Sequence, residues 1–132
     1  MTKIFVYGTL RKTGRFHHIL EKSLFIGAGI TPGRLFDVGS FPAAVFAKNF
    51  HAGAIVGEVY EVSKATLRQL DNLEGFRAKD MGGSLYLRFP LLVTFESGKV
   101  MQTEGYGWNR SVADMPVIPN GDYLKYVKGG NG

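Results

Sequence analysis

The sequence predicts an α+β domain in which about six strands form a mixed sheet, curled into a small barrel with one or two flanking helices. Three observations support this class. The chain contains several short β-favouring segments, it contains one clear amphipathic helix, and its 18 glycines are scattered among 132 residues, which suits tight turns between strands. We predict a single domain over residues 1–128 and a flexible tail over residues 129–132.

The first half of the chain is predicted to form strands separated by turns. Residues 3–7 are an apolar, β-favouring run that ends at Gly8, and residues 15–21 favour a short helix. The strongest strand signal of this half comes last, where apolar residues alternate along both faces of one segment. The further strands of this half are predicted within residues 33–38, 41–46 and 54–62.

The second half begins with a helix and returns to strands. Ser63 is placed to cap a helix that starts at residue 64, and Gly75 stands where helices commonly stop. Leu67, Leu70 and Leu73 fall three residues apart and predict an apolar stripe along this helix. The later elements are strands over residues 85–95 and 100–108, a hairpin turn over residues 96–99, and a short helix or strand over residues 122–127.

The residues that are missing exclude several classes of chemistry. The chain has no cysteine, so disulfides, cysteine nucleophiles and thiolate metal sites are excluded. Its three histidines do not combine with acidic residues into a metal-ligand pattern, and no glycine-rich phosphate-binding motif is present, so we expect no metal and no cofactor. No apolar run reaches the roughly 20 residues of a membrane helix, and no signal peptide is recognisable, so we expect a cytoplasmic protein.

The positive charge of the chain is concentrated near its start. The formal net charge is +5, and residues 1–36 hold six basic side chains against one acidic side chain, whereas the remainder is balanced. Such a local excess is compatible with a nucleic-acid surface, with a site for a small anionic ligand, or with an ordinary solvated face.

The first candidate site is the segment that leaves the opening strand. Gly8 frees the backbone to bend there, and successive N–H groups after such a bend can point into one concavity and bind an anion or a developing oxyanion. A plain exit from strand to turn explains the same pattern equally well. The candidate ligand-binding residues are Tyr7, Gly8, Thr9, Leu10 and Arg11.

The second candidate is Glu74, which directly follows the leucine stripe. Continued helical geometry places its carboxyl beside the face of Leu67 and Leu70, at the edge of the core, where partial desolvation raises a carboxyl pKa. A carboxylate tuned in this way is a competent general base near neutral pH. A solvated glutamate in the last helical turn is the alternative interpretation.

The third candidate is the pair Tyr86 and Arg88. In a strand these two residues lie on one face, about 7 Å apart, where a phenol and a guanidinium can together fix an anionic ligand. The same residue types are also common on the outer surface of a sheet.

Several motifs in a fixed order resemble the γ-glutamylcyclotransferase-like family, in the branch that contains γ-glutamylamine cyclotransferase. The resemblance covers roughly residues 3–127. Its motifs are Phe5-Val6-Tyr7-Gly8-Thr9-Leu10-Arg11, Gly33-Arg34-Leu35-Phe36-Asp37-Val38-Gly39-Ser40-Phe41-Pro42-Ala43, Val56-Gly57-Glu58-Val59-Tyr60-Glu61-Val62, Leu70-Asp71-Asn72-Leu73-Glu74-Gly75-Phe76, Tyr86-Leu87-Arg88 and Gly121-Asp122-Tyr123. Phe36 and Phe76 stand where tyrosine is common in the family, and residues 77–84 match no family segment.

The resemblance implies a small barrel with a cleft at one end, a substrate-cradling loop at Tyr7, Gly8, Thr9 and Leu10, and Glu74 as the proton acceptor. The implied reaction is the attack of a γ-glutamyl compound's own α-amino group on its γ-carbonyl, which yields 5-oxoproline and a free amine or amino acid. This chemistry needs no cofactor and no serine or cysteine nucleophile.

The implied partner is a small-molecule γ-glutamyl substrate, with no nucleic acid and no membrane, and the protein is expected to be a monomer or weak homodimer. The alternative is a non-catalytic barrel module that binds single-stranded nucleic acid or a γ-glutamyl-like ligand. A salt titration against oligonucleotides separates the two, because steep salt dependence supports nucleic-acid binding.

Overall fold

The computed structural model describes residues 1–130, and within them the chain forms six strands and two helices. In chain order these are β1 (Thr2–Val6), β2 (Leu24–Asp37), β3 (Pro42–Phe46), β4 (Ala54–Val62), α1 (Lys64–Glu74), β5 (Tyr86–Phe95), β6 (Val100–Trp108) and α2 (Tyr123–Gly130).

The strands form a closed barrel with one extra strand. Five strands pair in the cyclic order β2-β4-β1-β6-β5, and β5 returns to β2 through the pairs Gly29–Phe95 and Ile30–Thr94. The sixth strand, β3, pairs antiparallel with the C-terminal part of β2, from Gly33 to Asp37. The contact between β1 and β6 is parallel and the other pairings are antiparallel, so the sheet is mixed. The predicted α+β class and the barrel are confirmed.

Alternation along β4 divides the apolar residues between two separate cores. Ile55 and Val59 point to one side and join a cluster with Phe5 and residues of β2, β3 and β5, whereas Tyr60 and Val62 join a second cluster. The second cluster includes Leu70 of α1. Both faces of β4 are therefore covered, which explains why this segment reads as apolar on both sides.

The termini of α1 lie where the sequence predicts them. The Ser63 hydroxyl accepts a hydrogen bond from the Thr66 N–H at 3.2 Å, which is an N-cap. At the other end Gly75 adopts a left-handed conformation with φ of 65°, and the Phe76 N–H donates to the Asp71 carbonyl at 2.8 Å. This is a Schellman arrangement, which leaves Glu74 as the last helical residue.

The predicted leucine stripe of α1 is wrong at its last position. Leu70 is fully buried, but Leu73 is 38% exposed. The inward face of a helix repeats at spacings of three and four residues, so after Leu67 and Leu70 it continues at Glu74 rather than at Leu73. The helix therefore carries a glutamate, in place of a leucine, into the protein.

Strand β2 is much longer than the sequence predicts, because it spans 14 residues and only its second half was expected. The part that was not predicted, residues 24–32, contains Gly27, Gly29 and Pro32, which are residue types depleted in strands. Barrel closure requires the small residue at Gly29, since a Cβ there would lie 2.7 Å from Cγ1 of Val93. Gly29 therefore lowers the strand propensity of this part of β2, and the same residue allows β5 to pack closely against it.

The remaining segments differ modestly from expectation. The short helix predicted over residues 15–21 is a 3₁₀ turn, His17–Leu20, and the last element is the helix α2. This helix includes residues 129 and 130 of the predicted tail, and residues 131 and 132 lie outside the described residues. No helix within residues 1–130 has the length and apolar composition to cross a membrane.

Candidate active site

A small cleft opens where β1 ends, α1 ends and β5 begins. Six of the residues predicted to carry function line this cleft: Tyr7, Gly8, Thr9, Leu10, Glu74 and Tyr86. Five more complete the lining: Phe5, Val6, Phe41, Pro42 and Tyr106. The structure therefore brings the first two sequence candidates, which are about 65 residues apart in the chain, into one cavity.

The loop after β1 lines this cleft, and its backbone N–H groups are not used in hydrogen bonds within the described part of the chain. The carbonyls of Gly8 and Thr9 accept hydrogen bonds from Arg11 and Phe16 at 3.1 and 2.9 Å, which hold the bend in place. In contrast, the N–H groups of Gly8, Thr9 and Leu10 donate to no other residue within residues 1–130. Gly8 and Leu10 are buried and Thr9 is half-buried, and buried backbone N–H groups are rarely left without an acceptor, so these three N–H groups are candidates for binding an anion.

Glu74 supplies an unpaired carboxyl on the same cleft. The residue is half-buried, and none of the described residues donates a hydrogen bond to its carboxylate or forms an ion pair with it. Burial raises the pKa of the Glu74 carboxyl to about 7. Its position at the C-terminal end of α1, the negative end of the helix dipole, acts in the same direction. Such a carboxyl both accepts and releases a proton near neutral pH.

Three tyrosines lie near Glu74, and the hydroxyl of each donates its hydrogen bond to a group other than Glu74. The Tyr7 hydroxyl donates to the Tyr106 carbonyl, the Tyr86 hydroxyl to the Pro42 carbonyl at 2.6 Å, and the Tyr106 hydroxyl to the Asp71 carboxylate at 2.6 Å. Burial raises the pKa of all three phenols, and the negative charge of Glu74 adds to each rise. These cleft-lining tyrosines therefore keep only accepting capacity at their phenol oxygens, and an acceptor suits a cationic amine.

The two predicted arginines do not line the cleft. The Arg11 guanidinium pairs with Asp122 at 2.9 Å and with Glu58 at 3.3 Å, and Arg88 pairs with Asp71 at 3.2 Å. These acidic partners are remote in sequence from the arginines, so a reading of local motifs could not supply them. The geometry gives no support to the predicted substrate contact of Arg11 and Arg88, since both guanidinium groups are engaged within the protein.

Sequence reasoning left five lining residues of the cleft outside its site candidates: Phe5, Val6, Phe41, Pro42 and Tyr106. Phe41 and Pro42 belong to a segment that was noted only as a motif, and they reach the cleft because β3 pairs beside β2. Tyr106 is the register partner of Arg88 across β5 and β6. No local sequence signal marks Tyr106, because it joins the site through Asp71, which bonds to both Tyr106 and Arg88 in the folded protein and precedes Glu74 by three residues.

Comparison with known proteins agrees with this geometry. The family model described as "Gamma-glutamyl cyclotransferase, AIG2-like" matches residues 4–125. A Methanocaldococcus jannaschii protein, provisionally named gamma-glutamylcyclotransferase MJ1514, is 36% identical over 129 residues, which cover 96% of this chain and 98% of that protein. The gamma-L-glutamyl-butirosin B gamma-glutamyl cyclotransferase of Niallia circulans is 32% identical over 83% of this chain and 69% of its own length.

Solved structures show the same likeness in three dimensions. The crystal structure of an AIG2-like protein from Mus musculus superposes with a TM-score of 0.73 at 27% sequence identity. The match covers 93% of this chain and 88% of that chain. With the family model matched across almost the whole sequence and a relative of similar length at 36% identity, the chain belongs to the AIG2-like gamma-glutamyl cyclotransferase family.

Proposed function

We propose that this protein is a γ-glutamylcyclotransferase that converts a γ-glutamyl amine or γ-glutamyl amino acid to 5-oxoproline and the free amine. One observation carries the proposal: an unpaired carboxyl with a pKa of about 7 lines the same small cleft as three consecutive free backbone N–H groups. The names of the relatives, which include a cyclotransferase acting on a γ-glutamyl compound, support the same reaction class.

The first step is proton removal from the substrate. An α-ammonium group has no lone pair for attack, so it must lose a proton before the ring can close. The carboxylate of Glu74 takes that proton, and its raised pKa brings it closer to the pKa of an amine, which makes the transfer less unfavourable. The acceptor oxygens of Tyr7, Tyr86 and Tyr106 suit the binding of the ammonium form that arrives.

The second step is attack of the freed amine on the γ-carbonyl carbon. The new C–N bond closes a five-membered ring, and the carbonyl oxygen becomes an oxyanion. The N–H groups of Gly8, Thr9 and Leu10 suit either that oxyanion or the α-carboxylate of the substrate. Glu74 then returns its proton to the leaving nitrogen. The oxyanion re-forms the carbonyl as the old C–N bond breaks, and the ring nitrogen releases its second proton to water, which leaves 5-oxoproline with a neutral ring amide, the free amine and the Glu74 carboxylate.

The cleft also contributes by holding the substrate in a folded conformation. Ring closure within one molecule becomes much faster when the amine is kept facing the carbonyl, an effect worth up to roughly 7–11 kcal/mol in favourable cases. Apolar walls at Phe5, Phe41 and Pro42 limit the space for extended conformations and for water. The protein therefore needs to supply a cleft that folds the substrate, a carboxyl that transfers one proton, and a few hydrogen-bond donors for the oxyanion or the α-carboxylate.

The decisive experiment is to measure 5-oxoproline release from a panel of γ-glutamyl compounds. The panel contains γ-glutamyl amino acids, γ-glutamyl-ε-lysine and simple γ-glutamyl alkylamides, with Glu74→Gln as the inactive control. We expect release of 5-oxoproline and the amine in equal amounts from at least one member. The proposal is wrong if none is turned over, or if the Glu74→Gln protein works equally well.

The rate is expected to depend on pH with an acidic limb centred near 7. The competent form of the enzyme has Glu74 deprotonated, so kcat/KM rises as pH increases through the pKa of this carboxyl, about 7, and is lost below it. A pH profile of kcat/KM with a good substrate measures the midpoint. A midpoint near 4.5, the ordinary value of a glutamate, would show that the carboxyl is not desolvated in the free enzyme.

Substitution of Gly8 by valine is expected to raise KM by roughly tenfold or more, with a smaller effect on folding. A Cβ at Gly8 would lie 2.8 Å from Cγ of Pro42, so the Pro42 side of the cleft must shift. Steady-state kinetics and thermal unfolding measure the two effects. Gly82→Val is the matched control, because a Cβ at Gly82 meets nothing within 4 Å. A Gly8→Val protein with normal KM would contradict the placement of substrate against this loop.

A further inference from the structure

Arg15 bridges two segments that border the cleft. Its neighbour Phe16 donates a backbone hydrogen bond to the Thr9 carbonyl at 2.9 Å, which ties this part of the chain to the loop after β1. The Arg15 Nη2 donates to the Ser40 carbonyl at 3.3 Å, and Ser40 directly precedes the cleft residues Phe41 and Pro42. The guanidinium therefore lies at the edge of the cleft, between the walls that these two segments form.

Contacts of Tyr123 place the guanidinium on the same side of the molecule as Gly8. The Tyr123 hydroxyl donates to the same Ser40 carbonyl at 3.3 Å, and its ring lies 3.9 Å from the Cβ position of Gly8. Burial raises the pKa of Tyr123, and the positive charge of Arg15 acts against that rise, as expected for close neighbours. Arg15, Ser40, Tyr123 and Gly8 thus form one continuous chain of contacts to the cleft.

The charge of Arg15 is not used within the protein. The side chain is exposed, and no carboxylate among residues 1–130 lies within 4.0 Å of it. It stacks on Phe16 with 4.9 Å between the guanidinium carbon and the ring centroid, and it uses one of its five N–H donors on Ser40. Arg11 and Arg88 differ in this respect, because both are ion-paired.

Within residues 1–130, the cleft offers a negative group but no cation, because Glu74 is the one charged residue of this part of the chain that lines it. In the proposed reaction the amine must reach Glu74 and the carbonyl must reach the Gly8 loop, so the glutamyl half occupies the interior. The leaving group is the part that projects outward. A carboxylate on the leaving group would therefore lie near the guanidinium of Arg15, at the edge of the cleft.

We infer that Arg15 binds the carboxylate of the leaving group, so that the preferred substrates are γ-glutamyl amino acids or peptides rather than uncharged γ-glutamyl amines. The N–H groups of Arg15 that do not bond to Ser40 can donate two parallel hydrogen bonds to a carboxylate. The hydrogen bond to Ser40 and the stacking on Phe16 hold the guanidinium in place. This inference rests on the proposed cyclotransferase function and specifies its substrate class.

Two substrates that differ only in the leaving-group carboxylate test the inference. γ-Glutamyl-alanine releases alanine, and γ-glutamyl-ethylamide releases ethylamine, which is alanine without its carboxylate. We expect the wild-type protein to favour γ-glutamyl-alanine in kcat/KM by roughly tenfold. Arg15→Gln is expected to lose that preference by slowing γ-glutamyl-alanine alone, and Arg15→Lys is expected to recover part of it.

Arg34→Gln provides a matched control. Arg34 is also exposed and also donates to a backbone carbonyl, that of Ala52 at 2.8 Å, but it lines a groove away from the cleft. This variant is expected to treat both substrates as the wild type does. Equal slowing of both substrates by Arg15→Gln, or no change in either, would overturn the inference while leaving the cyclotransferase function intact. Absence of 5-oxoproline from both substrates with wild-type protein would instead overturn the function on which it rests.

Discussion

Replacement of Glu74 by glutamine is expected to lower kcat by about 10²–10⁴-fold while leaving the barrel folded. Glutamine keeps the size of the side chain but neither takes the proton from the amine nor delivers it to the leaving nitrogen. Binding through the loop donors of Gly8, Thr9 and Leu10 remains, so KM is expected to change much less than kcat. Steady-state release of 5-oxoproline measures both constants.

Unfolding experiments show whether the loss of activity comes from lost chemistry or from lost structure. Burial raises the pKa of Glu74 from 4.5 to about 7, so the folded protein binds this proton more tightly than the unfolded chain does. The wild type therefore loses up to about 3 kcal/mol of stability as pH rises through this interval, and Glu74→Gln does not. The variant is thus expected to be at least as stable as the wild type at pH 8.

Glu96→Gln is the appropriate control for the activity measurement. Glu96 is exposed and follows the last residue of β5, remote from the cleft lining. Its replacement changes the net charge as Glu74→Gln does, and it is expected to leave kcat unchanged. An active Glu74→Gln protein would remove this carboxyl from the mechanism.

Replacement of Arg11 by methionine is expected to reduce the free energy of unfolding by about 3–5 kcal/mol. The Arg11 side chain is 12% exposed and lies between the carboxylates of Glu58 and Asp122, which are 9% and 12% exposed. Removal of the guanidinium leaves two buried negative charges without a cation. Glu58 would keep hydrogen bonds from the Tyr60 hydroxyl and the Lys12 N–H, each at 2.9 Å, but these do not neutralise its charge.

Chemical denaturation measures the loss, and Arg68→Met serves as the comparison. Arg68 is exposed on α1 and has no ion pair among the described residues, so its replacement is expected to change stability by less than about 0.5 kcal/mol. The further replacement of Glu58 by glutamine and Asp122 by asparagine in Arg11→Met is expected to recover much of the loss, because it removes the stranded charges. Wild-type stability in Arg11→Met alone would show that the network contributes little.

The parts of the fold that follow from local chemistry were predictable, and the parts that depend on distant segments were not. The strand β4 follows from the alternation of its apolar residues, and the two ends of α1 follow from Ser63 and Gly75. Each of these signals acts within a few residues. The first half of β2 was missed because Gly29 is selected by the approach of Val93, a contact that no window around residue 29 contains.

The candidate site divides in the same way. Glu74 was recognisable because helical spacing from Leu67 and Leu70 and a family motif point to the same residue. Tyr106 was missed, because its hydroxyl reaches Asp71 only through the register of β5 and β6. The free charge of Arg11 suggested a ligand contact, whereas its partners Glu58 and Asp122 lie 47 and 111 residues away.

The parallel pairing of β1 with β6 determines when, during synthesis of the chain, the cleft beside Glu74 can form. Ile4 pairs with Glu104, so the first strand completes its position in the sheet only after nearly the whole chain has been synthesised. Tyr106, which closes one side of the cavity, arrives on that same late strand. Contacts between residues so far apart in sequence form slowly, so during synthesis on the ribosome Glu74 emerges before the cleft that it lines can form.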